Sequence, residues 1–377
     1  MKDLQRRDFI KMSAMGAFSS EVISFKNSVK KPQVNFVSDG LNLSCEEYLN
    51  ILNEIASKKS IKDDYFSLGG SISELETRFA SDLGKESAIF MPTGTLANHI
   101  AIRSLCGLKQ KAIVQQESHI YNDSGDCLQS LSHINLVPIG GKNASFTLEE
   151  VKEVIQKTAS GRVATPIGVI SIESPVRRKT GEVFDFEEIK KISAFAKEKE
   201  IKMHLDGARI YLAAAYSGIS VKTYASLFDT VYISLYKYFN AASGAILAGP
   251  KEFIEPLFHT RRMFGSGLHQ SWVFSEVALH YQNNFSQRYI KAVKISETLF
   301  ENLAKNEKFK INRIPNGTNI INLEVSGISA KEFAKNLLQQ DILVNPKSET
   351  SLNLLVNESL LYSDENELLS KFIKALN

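Results

Sequence analysis

The feature of this sequence that most constrains its fold is a regular alternation of short apolar runs with longer segments of helical spacing. The runs that we predict as strands cover residues 88–91, 111–114, 167–172, 201–205, 231–235 and 245–248. Strands that alternate with helices pair side by side in a parallel sheet, because each helix carries the chain back across one face of that sheet. The sequence therefore predicts an α/β fold with a mostly parallel sheet flanked by helices.

Two Ser/Thr-x-x-Glu sequences mark predicted helix starts. Ser73-x-x-Glu76 and Thr147-x-x-Glu150 have the spacing of a capping box, in which side chains and backbone N–H groups of the first turn bond reciprocally. We expect Gly84 to end the first of these helices, because glycine adopts the left-handed conformation that closes many helices.

The length of 377 residues predicts more than one domain. After a helical region, the carboxy-terminal part has its own pattern of strands and helices. We predict a large domain over residues 34–273, followed by linker helices and a smaller carboxy-terminal α/β domain over residues 274–377. Residues 1–33 are predicted to be a leader and linker outside the folded part.

The amino terminus contains Arg6-Arg7-Asp8-Phe9-Ile10-Lys11, which resembles a twin-arginine export signal followed by a weakly apolar stretch. This similarity predicts a periplasmic protein that is exported after folding. Glu21 interrupts the following segment and no clear cleavage site is visible. The alternative is a basic, disordered amino terminus on a cytoplasmic protein.

Composition excludes several classes of partner. A formal net charge of +3 is small for this length and gives no indication of nucleic acid or an anionic membrane surface. The sequence contains no run of about 18 apolar residues, so we predict no transmembrane helix. The cysteines Cys45, Cys106 and Cys127 lack metal-ligand spacing, so we predict no metal site.

A lysine follows one of the predicted buried strands, at the edge where ligands bind in open parallel sheets. Lys237 comes after the strand over residues 231–235 and is set among apolar and small residues. Loss of solvation lowers the pKa of such a lysine, which can then attack a carbonyl and hold a Schiff base. The alternative is a strand-end lysine that points into water.

A carboxylate ends the strand before it. Asp206 follows residues 201–205, and a carboxylate at the end of a buried strand needs a cationic partner to offset its desolvation. A protonated pyridine nitrogen is such a partner. An ion pair with Arg209 or another arginine is the alternative.

Further candidate cofactor-binding residues follow two earlier predicted strands. Gly94 and Thr95 stand where a strand turns into a helix, so backbone N–H groups, a hydroxyl and the helix dipole can hold a phosphate there. An ordinary helix cap is the alternative. His119 follows the next strand and can stack on an aromatic ring, although alone it fits a structural histidine better. Together with the lysine and the carboxylate, these residues predict a pyridoxal 5'-phosphate (PLP) site.

At these residues the chain resembles the family of threonine aldolases and aromatic amino acid β-eliminating lyases, which are PLP-dependent enzymes of the aspartate aminotransferase fold (fold type I). The resemblance covers roughly residues 34–356. Its most specific segments are residues 88–98, His204-Leu205-Asp206-Gly207-Ala208-Arg209, Ser234-Leu235-Tyr236-Lys237 and Gly265-x-Gly267-x-x-Gln270.

The resemblance implies a role for each candidate residue. Lys237 would hold PLP as a Schiff base and Asp206 would keep the pyridine nitrogen protonated. His119 would stack on the ring and assist proton transfer. Gly94 and Thr95 would hold the phosphate.

The resemblance also implies a substrate and a reaction. Arg209 and Ser38 would face the carboxylate of a small-molecule amino acid. The implied reaction is aldol cleavage of a β-hydroxy-α-amino acid to glycine and an aldehyde. Sites in this fold usually form between subunits, so the resemblance implies a homodimer or homotetramer.

The substrate half of the family pattern has changed in this chain. The carboxy-terminal strand reads Asn353-Leu354-Leu355-Val356-Asn357, where the family usually has a second carboxylate-binding arginine, and Glu173-Ser174-Pro175 stands where many members read Glu-Asn-Thr. Other PLP chemistry therefore stays open, namely β-elimination, racemisation or transamination. A non-catalytic protein that keeps the fold is a further alternative, which the presence of Lys237, Asp206 and His119 disfavours.

Overall fold

A computed structural model describes residues 34–377 of the chain. The predicted leader and linker over residues 1–33, with the Arg6-Arg7 pair, lie outside the described residues. None of the helices in the described range has the length and apolarity that crossing a membrane requires.

Strands and helices alternate along most of the described chain. The strands are β1 (Val34–Asn35), β2 (Ser87–Met91), β3 (Lys111–Gln115), β4 (Asn135–Ile139), β5 (Val169–Glu173), β6 (Lys202–Asp206), β7 (Thr230–Ser234), β8 (Ala245–Gly249), β9 (Phe309–Asn312), β10 (Ile320–Val325), β11 (Ile342–Leu343), β12 (Asn345–Pro346) and β13 (Ser351–Leu355). The α-helices are α1 (Cys45–Lys58), α2 (Gly70–Leu83), α3 (Gly94–Cys106), α4 (His119–Asn122), α5 (Cys127–Ser132), α6 (Leu148–Ala159), α7 (Phe186–Glu198), α8 (Ile210–Ser217), α9 (Val221–Ala225), α10 (Lys251–Ile254), α11 (Leu257–Met263), α12 (Trp272–Gln282), α13 (Phe285–Leu303), α14 (Ala330–Gln339) and α15 (Glu365–Lys374). Short 3₁₀-helices cover Arg177–Lys179 and Glu358–Tyr362.

The large sheet has seven strands in the order β2-β8-β7-β6-β5-β3-β4. Strands β3 to β7 pair in parallel, whereas β8 runs antiparallel to both of its neighbours, β7 and β2. β2 therefore points in the same direction as β7, and every strand except β8 ends at the same edge. This confirms the predicted mostly parallel sheet and places the loops after β2, β3, β5, β6 and β7 along one edge.

Both faces of this sheet are covered by helices, as consecutive residues of β7 show. Val231 and Ile233 belong to a hydrophobic cluster that contains residues of α2 and α7, whereas Tyr232 belongs to a cluster with residues of α3. Successive side chains of a strand point to opposite faces, so both faces of β7 are buried. Its uninterrupted apolar character reflects this double burial.

One of the two predicted capping boxes is present and the other is wrong. Thr147 and Glu150 bond reciprocally at the start of α6, as predicted. By contrast, α2 begins at Gly70 with Gly69 as its N-cap, so Ser73 lies inside the helix. Glu76 instead accepts a hydrogen bond from the backbone N–H of Phe90, which joins the helix to β2. Gly84 ends α2 in the left-handed conformation, with φ +63°.

The carboxy-terminal part contains a four-stranded antiparallel sheet in the order β12-β13-β10-β9. Its core is a separate hydrophobic cluster that also contains Val34 and Phe36. β1 pairs in parallel with β11, so the amino-terminal strand packs with carboxy-terminal elements. The smaller carboxy-terminal part agrees with the predicted fold class, and the exact boundary at residue 273 stays a prediction.

Candidate active site

A cavity of about 170 Å³ opens where the parallel strands end. It is lined by six of the residues that the sequence singled out, which are Gly94, Thr95, His119, Asp206, Arg209 and Lys237. These residues follow four strands, β2, β3, β6 and β7. The sheet topology thus brings distant parts of the chain to one site.

Lys237 lies just beyond β7, in a tight turn that Asn240 closes by donating its backbone N–H to the Lys237 carbonyl at 3.2 Å. The Lys237 Nζ lies 5.0 Å from the centre of the Tyr236 ring. Burial, and then the nearby charge of Arg209, lower the pKa of Lys237 from 10.5 to about 8. This confirms the predicted direction, so a substantial fraction of the amine is neutral at mildly alkaline pH.

The segment after β1 packs directly against this lysine turn. A side chain at Gly40 would overlap the Lys237 carbonyl oxygen and the Asn240 side chain. The same Asn240 side chain accepts a hydrogen bond from the Leu41 backbone N–H at 2.7 Å. Glycine at position 40 therefore permits the close approach that fixes the lysine turn.

Asp206 is held by hydrogen bonds at both carboxylate oxygens. Its Oδ1 accepts the backbone N–H of Ala208 at 3.1 Å, and its Oδ2 accepts the Asn98 side-chain amide at 2.6 Å. Its carboxylate forms no ion pair with Arg209 or another arginine among the described residues, which was the alternative that the sequence left open. Each carboxylate oxygen has a second lone pair, so Asp206 can still accept a hydrogen bond from a ligand in the cavity.

A buried relay behind Asp206 fixes its orientation. The Asn98 amide nitrogen donates to Asp206, so the Asn98 oxygen faces the His204 Nε2 at 2.9 Å and His204 must donate from that nitrogen. The other ring nitrogen, Nδ1, accepts from the Thr230 hydroxyl at 2.8 Å. Burial lowers the pKa of His204 to about 4, which keeps the ring neutral and this tautomer in place.

Glu173 ends β5 beside Asp206 and is also buried. Its two carboxylate oxygens accept the backbone N–H groups of His119 at 2.6 Å and Arg177 at 2.9 Å. Burial, and then the Asp206 carboxylate, raise the pKa of Glu173 to about 7. Glu173 thus joins the loop that carries His119 to the segment that follows β5.

The start of α3 presents unused hydrogen-bond donors. Thr93 caps the helix by accepting from the Leu96 N–H, while the N–H groups of Gly94 and Thr95 have no acceptor within residues 34–377. A side chain at Gly94 would overlap the ring of Tyr232. Glycine therefore lets the helix start approach β7 closely, with its free N–H groups at the cavity.

Arg209 forms an ion pair deep in the site. Its Nε lies 2.8 Å from Asp39 Oδ2, and Asn319 donates to Asp39 Oδ1 at 3.1 Å. Burial alone would raise the pKa of Asp39, but Arg209 and Asn319 outweigh it and hold that pKa below its usual value. Since Asp39 engages Nε, the terminal nitrogens of Arg209 stay available to the cavity that it lines.

Ser38 is the one predicted site residue that does not line the cavity. Its hydroxyl donates to the Gly40 carbonyl at 2.7 Å, and its carbonyl accepts from the Asn357 amide at 2.8 Å. The residue lies next to Asp39 in the chain, so the segment reaches the site through Asp39. A contact between Ser38 and a substrate stays a prediction.

Sequence reasoning did not assign a role to several residues of this site. Glu173 stands at the end of a buried strand, as Asp206 does, and the same reasoning applied to it would have identified it. Asn98 lies on α3 and Asp39 lies after β1, and no local pattern pairs them with Asp206 and Arg209. Such partners become visible only when the sheet topology is known.

The geometry fits PLP in three respects. The start of α3 offers free N–H groups for a phosphate, Lys237 has a lowered pKa, and Asp206 can accept a hydrogen bond from a protonated ring nitrogen. In addition, His119 Nδ1 is buried without a hydrogen-bond partner among the described residues, as expected of a ring that meets a ligand. The residues present therefore suit this cofactor.

Comparisons with known proteins show which proteins this chain resembles. A low specificity L-threonine aldolase from Saccharomyces cerevisiae is 34% identical over 61% of this chain, and the match spans only 59% of that relative's length. An alanine racemase from Cochliobolus carbonum is 27% identical over 73% of this chain and 72% of its own length. The crystal structure of a putative L-allo-threonine aldolase from Listeria monocytogenes superposes with a TM-score of 0.75 and 25% identity, over 91% of this chain and 95% of that one.

The sequence profile of the beta-eliminating lyase family matches residues 52–326, which contain every residue that lines the cavity described above. That match covers well over half of the chain and includes β2 to β10. The resemblance seen in the sequence is thereby confirmed, and the chain belongs to the beta-eliminating lyase family.

Proposed function

We propose that this protein is a PLP-dependent lyase that cleaves a threonine-like β-hydroxy-α-amino acid to glycine and an aldehyde. The observation that carries the proposal is that Lys237 and Asp206 line one cavity, with the lysine pKa lowered to about 8. The names of the yeast and Listeria relatives support the choice of substrate.

Four groups of this chain would hold the cofactor. The N–H groups of Gly94 and Thr95 would bind the phosphate of PLP. The amine of Lys237 would bond to its carbonyl carbon, and Asp206 would accept a hydrogen bond from its ring N–H. When bound, PLP supplies a carbonyl that combines with amines and a ring that takes up the electron pair of a broken bond.

Asp206 would accept a hydrogen bond from the ring nitrogen and so would favour the protonated form of the cofactor. Asn98 and His204 support this by holding the carboxylate in one orientation. Because His204 stays neutral, the relay adds no positive charge that would compete with the ring for Asp206.

Arg209 would bind the substrate carboxylate through its terminal nitrogens while Asp39 holds its Nε. A fixed carboxylate lets the site align the bond between Cα and Cβ for cleavage, which is an orientation effect. During cleavage the β-hydroxyl loses its proton and Cα later gains one. His119 would take the hydroxyl proton at Nδ1, which has no partner among the described residues.

The proposal is tested by incubating the PLP-loaded protein with L-threonine and with phenylserine. We expect glycine and the matching aldehyde in equal amounts, and loss of both products in Lys237→Ala. Keto acid or ammonia without glycine would instead indicate transamination or β-elimination. Protein that neither colours with PLP nor releases any product would indicate a non-catalytic member.

Racemisation is a second candidate, because one relative is named an alanine racemase. A racemase removes and returns the Cα proton without breaking the bond between Cα and Cβ. Incubation of L-alanine with the PLP-loaded protein in heavy water separates the two reactions. Formation of D-alanine without any aldehyde from threonine would favour the racemase.

We further propose that the protein forms a homodimer or homotetramer and that Arg6-Arg7 directs twin-arginine export to the periplasm. Family resemblance supports the first statement and the leader sequence supports the second. Light scattering of the purified protein would test the assembly. Fractionation of cells that produce the natural chain or an Arg6→Lys/Arg7→Lys variant would test export.

A further inference from the structure

One arginine that lines the cavity, Arg177, forms no side-chain hydrogen bond or ion pair with the described residues. Arg177 begins the 3₁₀-helix that follows β5, and its backbone N–H donates to Glu173. Its side chain lines the cavity together with Lys237 and Arg209. Within residues 34–377 the Arg177 guanidinium makes no hydrogen bond and no ion pair.

The neighbouring arginines are already engaged. Arg178 lies 3.0 Å from Asp123 and 3.6 Å from Glu117, and the Nε of Arg209 pairs with Asp39. Arg177 is therefore the arginine at this cavity whose guanidinium forms no hydrogen bond or ion pair with a described residue. A guanidinium presents five N–H donors, so an unpaired one at a cavity is suited to bind an anion.

The local charges also favour an anion between Arg177 and Arg209. Burial, and then the charge of Arg209, lower the pKa of Arg177, so the two guanidinium groups are close enough to repel each other. Asp39 and Glu173 attract Arg177 and offset part of this repulsion, but neither carboxylate pairs with it directly. Asp39 is bound by Arg209 and Asn319, and Glu173 is bound by two backbone N–H groups.

The carboxy-terminal strand serves another purpose in this chain. Asn357, just after β13, donates its side-chain amide to the carbonyls of Asn35 and Ser38 at 2.9 and 2.8 Å. This segment therefore holds the chain after β1 in place and carries no arginine toward the cavity. Arg177, on the 3₁₀-helix after β5, places a second arginine beside Arg209 at the cavity.

We propose that Arg177 and Arg209 together bind the α-carboxylate of the amino acid substrate. This inference rests on the proposed function, because it names how that site holds its substrate. The 3₁₀-helix after β5 thus supplies the second cation of a carboxylate clamp. The recognised group is a single carboxylate on the carbon that bears the amine.

The test compares two variants that each remove one positive charge from the same 3₁₀-helix. Arg177→Gln removes the unpaired guanidinium but keeps the backbone bond to Glu173. Lys179→Gln is the matched control, because Lys179 does not line the cavity. Binding of glycine and of glycinamide to each PLP-loaded protein is measured by calorimetry. Glycinamide carries a neutral amide in place of the carboxylate.

We expect Arg177→Gln to weaken glycine binding about tenfold or more, the usual effect of losing a charge-assisted hydrogen bond, and to leave glycinamide binding within about twofold. Lys179→Gln should change neither ligand by more than about twofold. Arg177→Lys should restore part of the glycine affinity, because it restores the charge without the planar fork.

Three results would overturn the inference. The first is unchanged glycine affinity in Arg177→Gln. The second is that Arg177→Gln weakens glycine and glycinamide binding equally. The third is that Lys179→Gln weakens glycine binding as much as Arg177→Gln does. The binding assay requires no bond cleavage, so it separates this inference from the proposed function. If glycine binding depends on Arg177 but threonine yields no aldehyde, the inference stands and the lyase proposal fails.

Discussion

The closest approach in the candidate site is between the start of α3 and β7, and Gly94→Ala tests its role. An added Cβ would overlap the hydroxyl oxygen and Cζ of Tyr232 and would lie 3.1 Å from its Cε2. Ordinary contacts of a Cβ atom lie at 3.4–4 Å. Tyr232 is buried on a central strand and lines the cavity, so its ring has little freedom to withdraw.

The size of the effect follows from this geometry. Forcing a methyl group into a packed site costs about 1–3 kcal/mol. If the ring of Tyr232 moves toward the cavity to relieve the overlap, that cost appears in cofactor binding. Since about 1.4 kcal/mol corresponds to tenfold in affinity, we expect PLP to bind Gly94→Ala about 5- to 150-fold more weakly.

The assay is a titration of cofactor-free protein with PLP, followed by fluorescence, with the thermal midpoint of the same cofactor-free protein measured alongside. Gly267→Ala is the control, because its Cβ would meet Arg262 Cγ at 3.5 Å, an ordinary contact. The control should bind PLP as the unmodified protein does. Any part of the overlap that movement of the Tyr232 ring does not relieve should lower the thermal midpoint of Gly94→Ala even without PLP.

A double-mutant comparison identifies the cause. Tyr232→Leu removes the overlapping atoms, so Gly94→Ala should weaken PLP binding less in that background than in the natural one. An equal loss in both backgrounds would refute the proposed overlap. Unchanged PLP affinity and thermal midpoint in Gly94→Ala would refute the reasoning altogether.

Three further predictions concern the site. The rate at which the cofactor-free protein binds PLP should rise with pH and level off above about pH 8, because the neutral amine of Lys237 predominates above its lowered pKa. Stopped-flow absorbance measures this rate. A rate that still increases toward pH 10.5 would contradict the prediction. Asn98→Leu leaves His204 and Asp206 each without one hydrogen-bond partner. We therefore expect the free energy of unfolding to fall by about 1–3 kcal/mol and PLP to bind more weakly. Urea titration with and without the cofactor measures both effects. Glu173→Gln replaces one acceptor oxygen with an amide donor, so one of the two hydrogen bonds from the backbone N–H groups of His119 and Arg177 is lost. We expect kcat with threonine to fall about tenfold. An unchanged kcat would contradict a role for Glu173 in positioning these two segments.

Much of the fold follows from local patterns. The apolar run over residues 231–235 predicts β7 (Thr230–Ser234) to within one residue, and the run over residues 88–91 predicts β2 (Ser87–Met91) equally closely. A short, continuous apolar run is typical of a strand buried on both faces, and it can be recognised from the local sequence alone. The error at Ser73 has a physical reason, since packing of Glu76 against β2 overrides the local capping signal.

The site is only partly visible in the sequence. Lys237 and Asp206 follow buried strands, and parallel strands share one edge, so their proximity is predictable. The ion pair between Asp39 and Arg209 joins residues far apart in the chain, and the Arg177 side chain reaches the same cavity from a third element. Pairings of this kind depend on tertiary packing, which no local pattern encodes.

The central claim is that the ε-amine of Lys237 holds PLP in this cavity. The most direct test is borohydride reduction of the PLP-loaded protein, which makes a bond between PLP and a lysine permanent, followed by peptide mapping. We predict one modified lysine per chain, at Lys237. An unmodified Lys237, or modification at another lysine, would contradict it.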